Sequence, residues 1–314
     1  MRFILRRLLT LIATLLVASF VIYGALYLAP GSPIATLTGS RTPPPDVVAT
    51  LNARYHLNDP FLTRYSLWLK DVVSGNLGTS IPLQENVTTL IRQRAGVTAE
   101  LVLYASLIIT IGGIGLGLLG ALRPGPVDLV VIGITTLSAA MPSFVAAVIL
   151  LLVFSVELGW FPALGTGSGF VGTIDHLTLP AVALAATSLA LVARVTRAAV
   201  REELGREHVQ TAIGRGIAFR LVVRRHVLRN AAIPIVTVSG LTIASLIALA
   251  AVIETAFNLN GLGQYLVAAA LNNDFATVQG ISMVLVAVFV ITNAIVDVFY
   301  AILDPRVTLG TRAR

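Results

Sequence analysis

The chain has 314 residues, 56% of them hydrophobic and 12% charged, with a net charge of +7 and a mean hydropathy of +0.88. A soluble domain carries about 25% charged residues, so this composition excludes one and predicts a polytopic membrane protein. The absence of cysteine excludes a disulfide framework and any thiolate nucleophile or metal ligand.

Arg2, Arg6 and Arg7 precede an uncharged run from Leu8 to Leu28, long enough to cross a bilayer core of roughly 30 Å. That run exceeds the apolar stretch of a secretory signal. Residues 1–29 are therefore read as a cytoplasmic N-terminus and an uncleaved first span. Residues 30–97 are too polar to cross and are read as an extracytoplasmic segment. Within them PGSP and RTPPPD are turn-rich, and LNARYHLNDPFLTRYSLWLKDVVSG predicts one or two short amphipathic helices.

Residues 98–304 are expected to form a core of five helices. The second span is placed at Leu101–Leu122, where Gly113, Gly117 and Gly120 share a face for close helix packing. Gly115-Leu-Gly-Leu-Leu-Gly120 has the spacing of a dinucleotide fingerprint but lies inside an apolar helix, not between a strand and a helix, so a cofactor site is excluded. The third span, Leu129–Val156, should kink at Met141-Pro142. Glu157–His176 reads as a loop with Trp160 and Phe161 as interface anchors. The fourth span, Leu177–Ala193, places Pro180 in its first turn, where proline is tolerated.

Arg194–Pro234 is the one long basic stretch between apolar runs. It holds nine arginines (194, 197, 201, 206, 215, 220, 224, 225 and 229) against Glu202, Glu203 and Glu207. Helical periodicity persists at Val209 and Ile213 and at Phe219, Val222 and Val223, and Gly214 and Gly216 interrupt it. Two short helices meeting at a glycine bend are predicted. Alone, such a segment also fits an interfacial helix pair on anionic lipid. The fifth span follows at Ala231–Ile253. Phe257–Gln279 is too broken for a span, which leaves a re-entrant segment open. The sixth span is Gly280–Leu303, and 305–314 is a cytoplasmic tail. Six spans put both termini on one side, and with the termini inside, 16 of the 22 basic residues lie inside. The six outside all fall in the one long loop, so an N-in, C-in orientation is expected.

Chemistry is sparse. Lys70, the sole lysine, has no glycine-rich approach, so the chain carries no phosphate-binding loop of its own. His56 and His176 fall outside in this topology and His208 and His226 inside, leaving no metal constellation. Glu254 and Asp297 are the acids nearest membrane depth. They would be a proton relay in a secondary carrier, or end-of-helix acids bonding nearby backbone. A non-transporting membrane scaffold is the remaining alternative.

Residue order adds a resemblance. Ala212-x-x-x-Gly216, then His226, Arg229-Asn230-Ala231 and Pro234, resembles the coupling loop of ABC-importer permeases. HVQTAIGRGIAFRLVVRRHVLRNAAIPIVT resembles the dipeptide/oligopeptide (peptide/nickel) branch. RRLLTL…LAPGSP, YHLNDP, SGNLGTSI, LGWFPALGTGSG, HLTLPA and Asp304-Pro305-Arg306 continue the likeness along nearly the whole chain. Gln210-Thr211-Ala212 stands where the superfamily often has Glu-Ala-Ala. Ser32 and Asn76 stand where the family commonly has aspartate, and Asn260 replaces a proline in ETAFNLNGLGQYL. The resemblance implies an all-α, six-helix, type I importer permease of the bacterial plasma membrane that is not itself an enzyme. It implies a homologous second permease, two ATPase subunits or domains and an extracytoplasmic binding protein. No cofactor of its own is expected, since ATP and magnesium would sit on the ATPases. Membrane lipid is an expected contact and nucleic acid is not. It marks Gln210, Thr211, Ala212, Gly216, Arg225, His226 and Arg229 as the ATPase-coupling loop, and Glu254, Phe257, Gly261 and Gly263 as a gate or outer-loop element.

Overall fold

Long apolar runs fold as helices because only a helix satisfies its own backbone polar groups in lipid. The computed structural model describes residues 2–28 and 59–303. PGSP, RTPPPD, Ser32, His56 and Asp304-Pro305-Arg306 lie outside them. The helices are α1 (Arg2–Leu28), α2 (Phe61–Val73), α3 (Val87–Leu122), α4 (Pro126–Ala140), α5 (Ser143–Glu157), α6 (Gly169–Leu204), α7 (Glu207–Gly214), α8 (Phe219–Phe257), α9 (Leu262–Leu271) and α10 (Phe275–Leu303). Among the described residues, strand pairing is limited to one bridge between Thr79 and Asn86. Five helices are long and apolar enough to cross a membrane, and the bent pair α4–α5 raises the number to six.

Several boundaries differ from the sequence expectation. α3 starts at Val87, well before Leu101, and is a single helix through a π turn at Ile109–Gly113. α4 and α5 are not a kinked helix but two helices meeting at 105°. Met141 is extended (φ −92°, ψ 117°), as a residue before proline prefers. α6 begins at Gly169, so His176 is helical, and Pro180 lies in the helix interior rather than its first turn. There it removes one ladder hydrogen bond.

The chain forms two units: Met1–Val97 with Asn260–Ile291, and Thr98–Leu259 with Thr292–Arg314. In the first, α2 packs on α1 through Phe20, Tyr23, Phe61, Tyr65 and Trp68. Its apolar core joins Val87 and Ile91 to Leu262 and Ile281. Asp274, buried at the α9–α10 junction, accepts hydrogen bonds from the hydroxyls of Ser80 and Thr277, both at 2.6 Å. In the second unit α6 is the axis, packed by α3, α4, α5 and α8. The glycine face of α3 meets it as expected. A Cβ on Gly117 would fall 2.5 Å from Thr196 Cβ and 2.6 Å from the Ala193 carbonyl oxygen.

Candidate functional site: the loop between α6 and α8

The basic stretch is a folded knot. α6 runs without interruption to Leu204, Arg206 is extended (φ −73°, ψ 145°), and α7 starts with Glu207 in its first turn, where an acid suits the helix dipole. α7 stops because Gly216 adopts φ +76°. The Gly216 N–H donates to the Ile213 carbonyl at 2.9 Å, and the Ile217 N–H donates to the Ala212 carbonyl at 3.3 Å. Those two bonds are a glycine-terminated helix stop with a left-handed residue. The predicted bend therefore lies at Gly216, while Gly214 belongs to the helix. The second helix is the start of α8, joined to its span through a π turn at Val223–Val227.

The two faces of α7 differ. Val209 (0% exposed) and Ala212 (6%) join Ala121, Val200, Val222, Val227, Ala231 and Ile235 in the protein's own core. Ala212, placed in the coupling loop by the resemblance, faces inward, because an eight-residue helix needs tertiary packing to persist. The surface left open holds Gln210, Thr211 and Gly214 with Ile213 (39% exposed), and beyond the bend Phe219 (51%). Gln210 ties this edge down by donating to the Leu204 carbonyl at 2.8 Å. Arg225 and Arg229 are exposed and His226 is half-buried, its ring 6.4 Å from that of His208.

Two acids that sequence reasoning did not single out hold the knot. Glu203 is buried, with Arg206 Nε at 2.9 Å, His208 Nε2 at 3.8 Å, and a 3.1 Å hydrogen bond donated by Asn230. Asp128, in the first turn of α4, accepts from Arg197 Nε at 2.5 Å and Nη2 at 2.8 Å, and from Arg201 Nη2 at 2.8 Å. The only sequence signal was the placement of Arg197 and Arg201 four apart on one helix face.

The gate residues divide between the units. Glu254 is fully buried near the end of α8, and the Thr98 hydroxyl donates to its carboxylate at 2.6 Å. Its carbonyl accepts from the Leu259 N–H at 3.0 Å, closing a helix stop on left-handed Asn258 (φ 51°). Phe257 is buried, and its carbonyl accepts from the Gly165 N–H at 3.1 Å, which fixes the loop after α5. In the other unit, Gly261 precedes α9 and Gly263 lies buried in its first turn. Asn260 has φ +55° and its N–H donates to Gln264 Oε1 at 2.6 Å. Proline could supply neither that φ nor that donor. Among the described residues, no group of three or more His, Asp or Glu could hold a metal ion.

Five or six helices apolar enough to cross a membrane, with a basic folded loop carried on α6, define a multi-pass membrane protein. Residues 113–309 match the family model of the binding-protein-dependent transport system inner membrane component, and residues 1–102 match the N-terminal model of such membrane components. The chain belongs to that family and is a multi-pass inner-membrane permease of the ABC importer class. It is 36% identical over 309 residues to the oligopeptide transport system permease protein OppB of Escherichia coli K12, covering 98% of this chain and 99% of that one. It is 32% identical over 327 residues to the dipeptide transport system permease protein DppB of Alkalihalophilus pseudofirmus, covering 96% and 98%. Its fold is similar to inward-facing crystal structures of the MetNI methionine ABC transporter, with a TM-score of 0.55 at 19% identity over 68% of this chain and 96% of that one.

Proposed function

We propose that the chain is the permease subunit of an ATP-driven importer of di- or oligopeptides. The observation that carries this reading is the likeness to an oligopeptide permease along 98% of this chain and 99% of the relative. A second, homologous permease completes the pore. Two ATPases dock on the cytoplasmic side, where both termini also lie, and an extracytoplasmic binding protein delivers the peptide. ATP and magnesium belong to the ATPases, and the permease carries no cofactor of its own. α7 and the bend after it supply the ATPase contact, through the edge formed by Gln210, Thr211, Ile213 and Gly214. The surrounding arginines, Arg225 and Arg229 among them, face the ATPases and anionic lipid. Closing of the ATPases moves α7, and α6 and α8 carry that movement into the spans.

The test is recovery of ATPase subunits with the tagged permease from native membranes, followed by uptake of labelled peptide in proteoliposomes. Uptake should need enclosed ATP and the binding protein. A permease that brings down no ATPase, with uptake that persists without ATP and collapses with an uncoupler, would establish a secondary carrier instead.

A further inference from the structure

The contacts of Asp128 reach three helices at one point. Its carboxylate takes Arg197 through both oxygens and Arg201 through one. Arg201 also donates to the Gly120 carbonyl at 2.9 Å, one of the unpaired carbonyls in the last turn of α3. The first turn of α4 and the last turn of α3 are thus held by adjacent turns of α6. The site is also shaped for the purpose. A Cβ on Gly120 would sit 3.1 Å from Asp128 Oδ1 and 3.3 Å from Arg197 Cδ, so a side chain there would crowd the ion pair and glycine leaves it room. Two residues beyond Arg201, buried Glu203 binds Arg206, next to α7, and Asn230 of α8.

We propose that Asp128 is a positioning residue for energy coupling, clasping α3 and α4 to the helix that carries α7. The inference rests on the importer reading above. Packing of α3 on α6 does not need the clasp, because Gly117 already brings them into contact at Thr196 and Ala193. α4 is different. It is one arm of the span broken by 105° at Met141-Pro142, so a pull at its first turn swings the arm rather than a whole straight helix. A buried carboxylate held by two partly exposed arginines, bidentately by Arg197, transmits such a pull with little slack, since the Arg197 fork fixes its geometry in two directions. The clasp lets a displacement of α7 reach the broken span through α6.

The experiment uses the complete transporter, with both permeases, the ATPases and the binding protein, in proteoliposomes. Asp128→Asn keeps the shape and removes the charge, Asp128→Glu keeps the charge, and Arg201→Gln removes the Arg201 bonds to Asp128 and to the Gly120 carbonyl while sparing Arg197. Recovery of ATPase subunits and binding-protein-stimulated hydrolysis should stay near wild type. Peptide taken up per ATP hydrolysed should fall about tenfold in Asp128→Asn and about threefold in Arg201→Gln, within the usual range for coupling between sites. Asp128→Glu should recover most of the loss. An unchanged ratio in both charge-removing variants overturns the proposal. So does a loss of uptake that merely tracks loss of assembled protein or of hydrolysis, which marks a folding staple. If Asp128→Asn fails to assemble, Arg201→Gln decides by the same ratio. Failure of the importer reading looks different: the wild-type permease itself would bring down no ATPase.

Discussion

Replacing Gly214 by glutamate should strip the permease of its ATPases and leave the permease folded. Gly214 is helical and exposed, and a Cβ there would meet nothing within 4 Å. Within the permease the change is harmless, because glycine is up to about 1 kcal/mol worse than ordinary residues in a helix. At a docked interface it buries an unpaired charge, which costs several kcal/mol. Since about 1.4 kcal/mol is a tenfold loss of affinity, docking should fall by two orders of magnitude or more. Gly216→Ala is the necessary partner. Its φ of +76° makes any side chain cost about 1–2 kcal/mol, so it should loosen the end of α7 without adding charge. Gly214→Ala should leave docking intact and slightly raise thermal stability in detergent. The assays are ATPase recovery by pull-down, binding-protein-stimulated hydrolysis, and unfolding of the permease alone. Normal recovery and hydrolysis with Gly214→Glu would remove α7 from the interface. If Gly216→Ala alone broke docking, the shape of the bend would matter rather than the open edge.

Gly117→Ala should lower thermal stability by about 1–3 kcal/mol, the usual cost of overpacking, whereas Gly115→Ala, with nothing within 4 Å, should not. Ser80→Ala takes one of two hydroxyl donors from buried Asp274 and should cost about 1–3 kcal/mol in the same melt. Single cysteines at exposed Ser74 and Ser168 should react with an impermeant thiol reagent in intact cells, and one at exposed Ala218 should not; reaction at Ala218 from outside would refute the orientation. Glu254→Gln and Asp297→Asn, if folded, should leave uptake dependent on ATP and insensitive to an uncoupler. A variant that lost proton dependence would point to a carrier.

The spans were legible because apolar length and charge are local properties, and so was the folded character of Arg194–Pro234. The stops were less so. α8 and α9 end on asparagines in the left-handed region, Asn258 and Asn273. The backbone bonds around them, from Leu259 to Glu254 and from Asp274 to Ala269, match those around Gly216. Asparagine tolerates that conformation, but it is also common in loops, so its presence at 258 or 273 did not mark a boundary. Glycine at 216 did. Pro180 misled in the opposite sense: proline is commonest in a first turn, and nothing local revealed that α6 had begun eleven residues earlier. The partners of Asp128 and Glu203 were hidden for another reason. Asp128 lies 69 residues from Arg197 and Glu203 lies 27 from Asn230, so no periodicity joins them.

The inward face of α7 constrains the docking proposed for it. A helix of eight residues is unstable alone, so its apolar side has to be covered by something. If a partner covered it, the free permease would carry a frayed loop, and binding would have to order it at a cost in affinity. Here Val209 and Ala212 are covered by Val200, Val222 and Val227 of the same chain, Gln210 ties α7 to the end of α6, and Glu203 ties that end to α8. α7 is therefore preformed, and what it offers is a stiff polar edge with exposed Ile213 beside it. A preformed edge avoids the ordering cost, and it also passes on a push without first being compressed. That makes Ala212→Leu a discriminating change. It should destabilise the purified permease with no ATPase present, whereas a residue that only contacted the partner would leave that melt unmoved.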